Sequence, residues 1–165
     1  MPTPNKNPEQ LSRDQIDQQS FTNGWLIQYF KQKNIAVALG VVIREYPTDT
    51  GPADWILIVN KKPVGVIEAK REEEGVHFTM HENQLCEYAA PKLKYIINNN
   101  SLPLVFESTS ELTRFTDYGD PKPHSRPVST FHRPETFEKW LRENAALRAK
   151  LFEIFVLQTK GLRDC

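Results

Sequence analysis

Residues 36–70 read AVALGVVIREYPTDTGPADWILIVNKKPVGVIEAK. Ala36 to Tyr46, Ala53 to Val59 and Val64 to Lys70 are three apolar, β-branched runs. The first two are separated by Pro47-Thr48-Asp49-Thr50-Gly51-Pro52, a dense turn signal, and the last two by Asn60-Lys61-Lys62-Pro63, which has the composition of a hairpin connection. The economical reading is a meander of three strands.

Upstream, Leu11, Ile16 and Phe21 recur at roughly helical spacing from Pro8 to about Thr22, and Asn23-Gly24 supplies a stop. A second short helix is expected over Trp25 to Gln32. Downstream, Arg71 to Gly75 reads as a solvated loop. His81 to Asn98 has helical periodicity through Leu85, Tyr88, Ala89, Leu93 and Ile96, divided or kinked at Pro91. Leu104 to Thr109 and Leu112 to Tyr118 are further strand candidates, and Asp120 to Pro127 is a Pro-rich loop. Pro134 opens a last helix running to about Lys150, Pro being harmless in a first turn. The order helix, three strands, helix, two strands, helix implies an α/β (α+β) fold with a central mixed sheet flanked by helices. The expected organisation is a disordered lead over 1–8, one domain over 9–148 and a linker over 149–165.

With 39% hydrophobic and 25% charged residues the chain is far from the composition of disordered proteins. Lys plus Arg equals Asp plus Glu at 21 each, so no net field would draw the chain onto nucleic acid. Cys86 and Cys165, with no secretory leader, do not form a disulfide framework and point to a reducing cytoplasm. Val64 to Ile67 and Ile56 to Val59 are too short to span a bilayer, so no membrane role is expected.

The residues that carry chemistry sit on the meander. Asp54 begins the second strand, and after thirteen intervening residues Glu68 and Lys70 end the third. Strand alternation puts Glu68 and Lys70 on one face and Ala69 on the other, while the hairpin brings Asp54 alongside. Two carboxylates, with the Ala69 backbone carbonyl as a further ligand, suit Mg²⁺, which keeps its other positions for water and phosphate oxygens. Such an ion neutralises a scissile phosphate and activates water. Lys70 reads as an ammonium that orients the attacking water and stabilises developing charge. Asp followed by Glu-X-Lys is a short pattern that also arises by chance; what singles it out is the apolar strand Val64-Gly65-Val66-Ile67, where charges are costly unless paired or metal-bound.

Gln84 and Tyr88, four apart on the expected helix, share a face and would support the nucleophile and a phosphate backbone. Glu45 is a candidate third acid, or a surface partner of Arg44. His77, His81 and Cys86 lack the fourth ligand that zinc wants. His124 and His132 read as loop residues beside Pro and Arg, with a structural role favoured over a hydrogen-bonding or DNA-backbone one, Glu72-Glu73-Glu74 as solvated loop, and Lys61, Lys62, Lys70, Arg71, Lys92 and Lys94 as a basic rim.

Arg44-Glu45-Tyr46-Pro47-Thr48, Gly51-Pro52-Ala53-Asp54-Trp55 and Gly65-Val66-Ile67-Glu68-Ala69-Lys70 together resemble the amino-terminal nuclease domain of the type I restriction enzyme R subunit. Gln84 to Tyr88 matches that family's Q-X-X-X-Y element. Arg13-Asp14-Gln15-Ile16-Asp17 with Asn23-Gly24-Trp25 resembles its first helix, and Phe131-His132-Arg133-Pro134-Glu135-Thr136 its close. The resemblance implies a PD-(D/E)XK, Mg²⁺-dependent endonuclease acting on double-stranded DNA, fused to a motor that uses ATP and assembled with modification (methyltransferase) and specificity subunits. Pro52-Ala53-Asp54 replaces the strict Pro-Asp, a usual variation. The G-X-X-X-X-G-K-[ST] loop of a motor is absent from the sequence, and Gly161 to Cys165 resembles the segment leading into one, so an excised domain is expected. The alternative is a non-catalytic module of the same fold that couples motor to complex; a free-standing nuclease fits the zero net charge poorly.

Overall fold

A computed structural model describes residues 7–49, 51–70, 102–109, 111–120 and 123–143. Helix α1 spans Pro8–Thr22, opening on Pro8 and with Glu9 in its first turn, where an acid suits the helix dipole. Asn23 closes it, and Gly24 follows at φ 87, a backbone conformation that glycine takes without a Cβ penalty. One α1 face, Ser12, Ile16 and Ser20, is buried.

The expected helix over Trp25 to Gln32 does not form. Strand β1 (Leu26–Tyr29) is followed instead by a single 3-10 turn at Phe30–Gln32. So short a helix has little stability of its own, whereas β1 pairs in parallel with the edge of β2, Leu26 against Val41 through Tyr29 against Arg44.

Strand β2 is Gly40–Pro47, starting later than the apolar run suggested. Asn34 holds the preceding residues in a turn: its side-chain oxygen accepts the Ala36 N–H at 3.1 Å, and its own N–H donates to Gln28 Oε1 at 2.6 Å. Strands β3 (Pro52–Val59) and β4 (Lys62–Ala69) complete the expected antiparallel meander. Asn60 and Lys61 between them both have positive φ, 49° and 66°, the geometry of a two-residue hairpin turn that matches strand twist.

Strand β5 (Leu104–Ser108) runs parallel to β4, and β6 (Thr113–Asp117) and β7 (Arg126–Val128) add antiparallel neighbours. Strand β7 falls at the end of the stretch expected to be loop. It carries Pro127 at the sheet's edge, where a missing N–H costs no ladder bond. Among the described residues seven strands lie in sequence order in one mixed sheet, and helix α2 covers residues 134–143 as far as it is described.

Both sheet faces are buried. Val42, Trp55, Leu57, Ile67, Phe106 and Phe115 pack on one face with Ile16 of α1 and Phe137 of α2; Val41, Ile43, Ile56, Ile58, Val66 and Val105 pack on the other. This two-sided burial explains why the central strands read as continuous apolar runs. Among the described residues no helix is long and apolar enough to cross a membrane.

Candidate functional site

Alternation along β2 and β3 fails at one end of the meander, and the failure builds the site. Val41 and Ile43 share a face, but the next residue to join them is Tyr46; on β3 the matching series is Ile58, Ile56 and then Ala53. On β2 the break falls at Glu45, which adopts φ 52 inside a strand. Left-handed backbone at a non-glycine residue costs about 1–3 kcal/mol and concentrates at functional sites. It turns Glu45 away from the face its position would give it. Register brackets Glu45 opposite Asp54, since Arg44 pairs with Trp55 and Tyr46 with Ala53.

On the other side of β3 the ladder with β4 ends at Trp55 and Ile67. One step further the strands part, and the Asp54 side chain fills the gap: its Oδ2 accepts the Ala69 N–H at 3.1 Å. Asp54 thereby reaches the backbone between Glu68 and Lys70. Those two side chains share a face as expected and pair at 3.2 Å (Nζ to Oε2), both less than a third exposed. The Lys70 N–H donates to Ser108 O at 2.8 Å, which fixes the end of β4 onto β5.

Arg13 of α1 closes the cluster. Its Nη2 lies 3.3 Å from Asp54 Oδ1 and 3.5 Å from Glu9, and its Nη1 lies 3.4 Å from Glu45. Behind it Asp17 accepts the Trp55 indole N–H at 2.9 Å and pairs with Arg44 at 3.0 Å. Arg13 and Arg44 both lie against the Trp55 ring, at 5.7 and 5.8 Å from its centroid. Trp55, fully buried, is thus locked next to Asp54.

Sequence reasoning gave Arg13 no role at the site. The signal was there in the spacing: Glu9, Arg13 and Asp17 recur every four residues, a charged stripe beside the buried stripe of Ser12, Ile16 and Ser20. Glu107 was also passed over. It is 6% exposed and is the register partner of Glu68 across the parallel β4–β5 pair, so the two share a face. A Glu inside Leu104-Val105-Phe106 was its sequence mark.

Of the other candidates, Gln84 and Tyr88 lie outside the described residues, as do His77, His81, Cys86, Arg71, Lys92 and Lys94. Lys61 and Lys62 occupy the β3–β4 turn, at the opposite end of the hairpin from Lys70 and roughly 25 Å away at strand rise, so they form no rim around Asp54. His132 is an aromatic-core residue, its ring 4.9 Å from Phe115 and 5.1 Å from Trp140. Burial first, and then the nearby Arg126 charge, lower its pKa, against a backbone hydrogen bond at Thr130 that raises it. Among the described residues no three His, Cys, Asp or Glu side chains are grouped to hold a metal by themselves.

A mixed α/β sheet with a charged corner at the parting of two central strands is the class of protein that this geometry defines. A family model described as the type I restriction enzyme EcoKI endonuclease subunit second domain matches residues 17–104, more than half of the 165-residue chain. The chain belongs to that family. Neither curated proteins nor solved structures give a match.

Proposed function

We propose that this domain is the Mg²⁺-dependent, PD-(D/E)XK-type nuclease of a type I restriction enzyme, hydrolysing phosphodiester bonds of double-stranded DNA with Asp54, Glu68 and Lys70. The observation that carries the reading is that Asp54 leaves the β3–β4 ladder to accept the Ala69 N–H, the backbone between Glu68 and Lys70, whose own side chains pair at the same strand end. The matched segment contains all three residues, and the family's description names an endonuclease subunit.

The donor set suits a hard divalent cation. Two carboxylates and a backbone carbonyl are oxygen ligands of the type Mg²⁺ takes, and Mg²⁺ commonly uses only one or two carboxylates, so a site need not group three acids. Asp54, Glu68 and the Ala69 carbonyl would hold it, and the chemistry it supplies is charge neutralisation on the phosphate and a more acidic water. The chain's own groups do the rest. Glu68 fixes the Lys70 ammonium at the strand end, where it orients a water and offsets charge on the oxygens of the five-coordinate phosphorus. The Ala69 N–H and Trp55, bonded to Asp17, hold Asp54 in place. Gln84 and Tyr88 are assigned to the nucleophile and the DNA backbone.

The sequence carries no phosphate-loop motif, so ATP-driven translocation is assigned to a motor elsewhere in the enzyme, and choice of the recognition sequence to the specificity subunit, which assembles with the modification subunit in the cytoplasm. In the assembled restriction enzyme Asp54→Ala or Lys70→Ala should lower DNA cleavage by at least a hundredfold, the scale of removing one charge-stabilising group, while ATP hydrolysis continues. Undiminished cleavage would sink the assignment and favour a module that only couples motor to complex.

A further inference from the structure

We infer that Arg13 is the site's built-in counter-cation, which a divalent metal must displace from Asp54. The inference rests on the metal reading above but concerns a residue that precedes the matched segment, which begins at residue 17.

The Arg13 guanidinium is 3.3 Å from Asp54 Oδ1, on the same carboxylate that would ligate the metal. A second cation at that carboxylate would face a positive charge at contact distance in a partly buried setting, where repulsion is stronger than in water. Arg13 therefore competes with the metal for Asp54. It is also built to yield. Glu9 at 3.5 Å and Glu45 at 3.4 Å hold the same guanidinium, so leaving Asp54 does not leave it unpaired. Three carboxylates around one guanidinium carry surplus negative charge, which an incoming divalent cation relieves. The left-handed backbone of Glu45 belongs to the same device: it brings the Glu45 carboxylate to Arg13, on the α1 side of the strand end. Without a metal, the pairing offsets part of the charge on Asp54 and holds it in position.

The test is calorimetric titration of the full chain with Mn²⁺, using wild type, Arg13→Gln, Arg13→Lys and Asp54→Asn. Arg13→Gln should bind Mn²⁺ roughly two- to fivefold more tightly, the worth of a partly exposed ion pair. Arg13→Lys, which keeps the charge, should stay near wild type, and Asp54→Asn should lose the binding. Asp54-dependent binding that Arg13→Gln leaves unchanged or weakens would overturn the role of Arg13 alone. Absence of any Asp54-dependent binding in wild type would overturn both this inference and the metal reading. Should Arg13→Gln not fold, the wild-type Arg13 Nε–H resonance, assigned by its loss in Arg13→Lys, replaces it. That resonance should shift with Mg²⁺ at the midpoint of the calorimetric curve, and a resonance that does not move would overturn the proposal.

Discussion

Around Phe106 the molecule is held by rings; around Asp54 it is held by charges. Phe106 is fully buried and lies within 6.0 Å, centroid to centroid, of Phe115, Phe131, His132 and Phe137, joining β5 and β6 to α2 and the segment before it. Where β4 parts from β3, next to Glu45 of β2, the contacts are ion pairs of 3.2 to 3.5 Å, a left-handed glutamate and an aspartate standing in for a ladder bond. Aromatic packing contributes stability that salt does not screen, whereas partly exposed ion pairs contribute little and yield readily. The division lets the charged corner carry strain and exchange partners while the aromatic half keeps the sheet folded.

Phe106→Ala is the most damaging test of this division. Removing a buried phenylalanine leaves a cavity among packed rings, so the expected loss is about 3–5 kcal/mol in denaturant unfolding. A loss below about 1 kcal/mol would mean that the aromatic half does not anchor the fold.

The seam between the halves comes next. A Cβ added to Gly65 of β4 would lie 2.2 Å from the Leu104 carbonyl oxygen of β5 and 2.8 Å from the Leu104 Cβ. No flexible group can move aside, since the first contact is backbone. Gly65→Ala should therefore cost about 1–3 kcal/mol and push β4 from β5, disturbing Glu68 and Glu107 together. Retained thermal stability would show that the strands can separate without penalty.

Glu45→Gly should act in the opposite direction. Relief of left-handed backbone is worth roughly 1–2 kcal/mol, and glycine's extra chain entropy takes back roughly 0.5–1, leaving a gain of about 0–1.5 kcal/mol, centred near 0.75. Chemical denaturation reads the gain. The same variant removes one of Arg13's carboxylates. A destabilised Glu45→Gly would mean that the carboxylate, not the backbone, sets the energy at this position.

What was legible beforehand follows the same line. The meander could be read because its strands are long, apolar and separated by turn residues. Helix α1 ends at the Asn23-Gly24 stop as expected, but of its expected apolar positions only Ile16 is buried, Leu11 and Phe21 being exposed and Ser12 and Ser20 completing the buried face. The first strand could not be read: Leu26-Ile27-Gln28-Tyr29 has no strong local preference, and only the open edge of β2 makes it a strand. Strand β7 was hidden by Pro127, which edge pairing tolerates. At the candidate site, Asp54, Glu68 and Lys70 could be singled out by type and spacing along neighbouring strands. Arg13 joins them from forty-one residues before Asp54, and Glu107 from thirty-nine after Glu68, by tertiary contacts that no local spacing encodes.

The smallest expected effect belongs to His132, where a titratable ring sits in the aromatic half. Burial lowers its pKa below the usual 6.5, so the folded state prefers the neutral ring, while the unfolded chain takes up a proton near 6.5. Above that pH the titration of the residue has no effect on stability. As pH falls through 6.5 the unfolded state binds the proton first, so stability declines until the folded-state pKa is reached. His132→Phe keeps a ring among Phe115, Phe137 and Trp140, and the Trp25 indole bond to the His132 carbonyl is backbone and survives. Melting temperatures of wild type and His132→Phe, compared between pH 7.5 and roughly pH 5 where ordinary carboxylates begin to titrate, should diverge, with wild type losing more. Parallel curves would mean that His132 titrates as freely when folded as when unfolded, and that the aromatic half admits a charge as readily as the corner built to hold one.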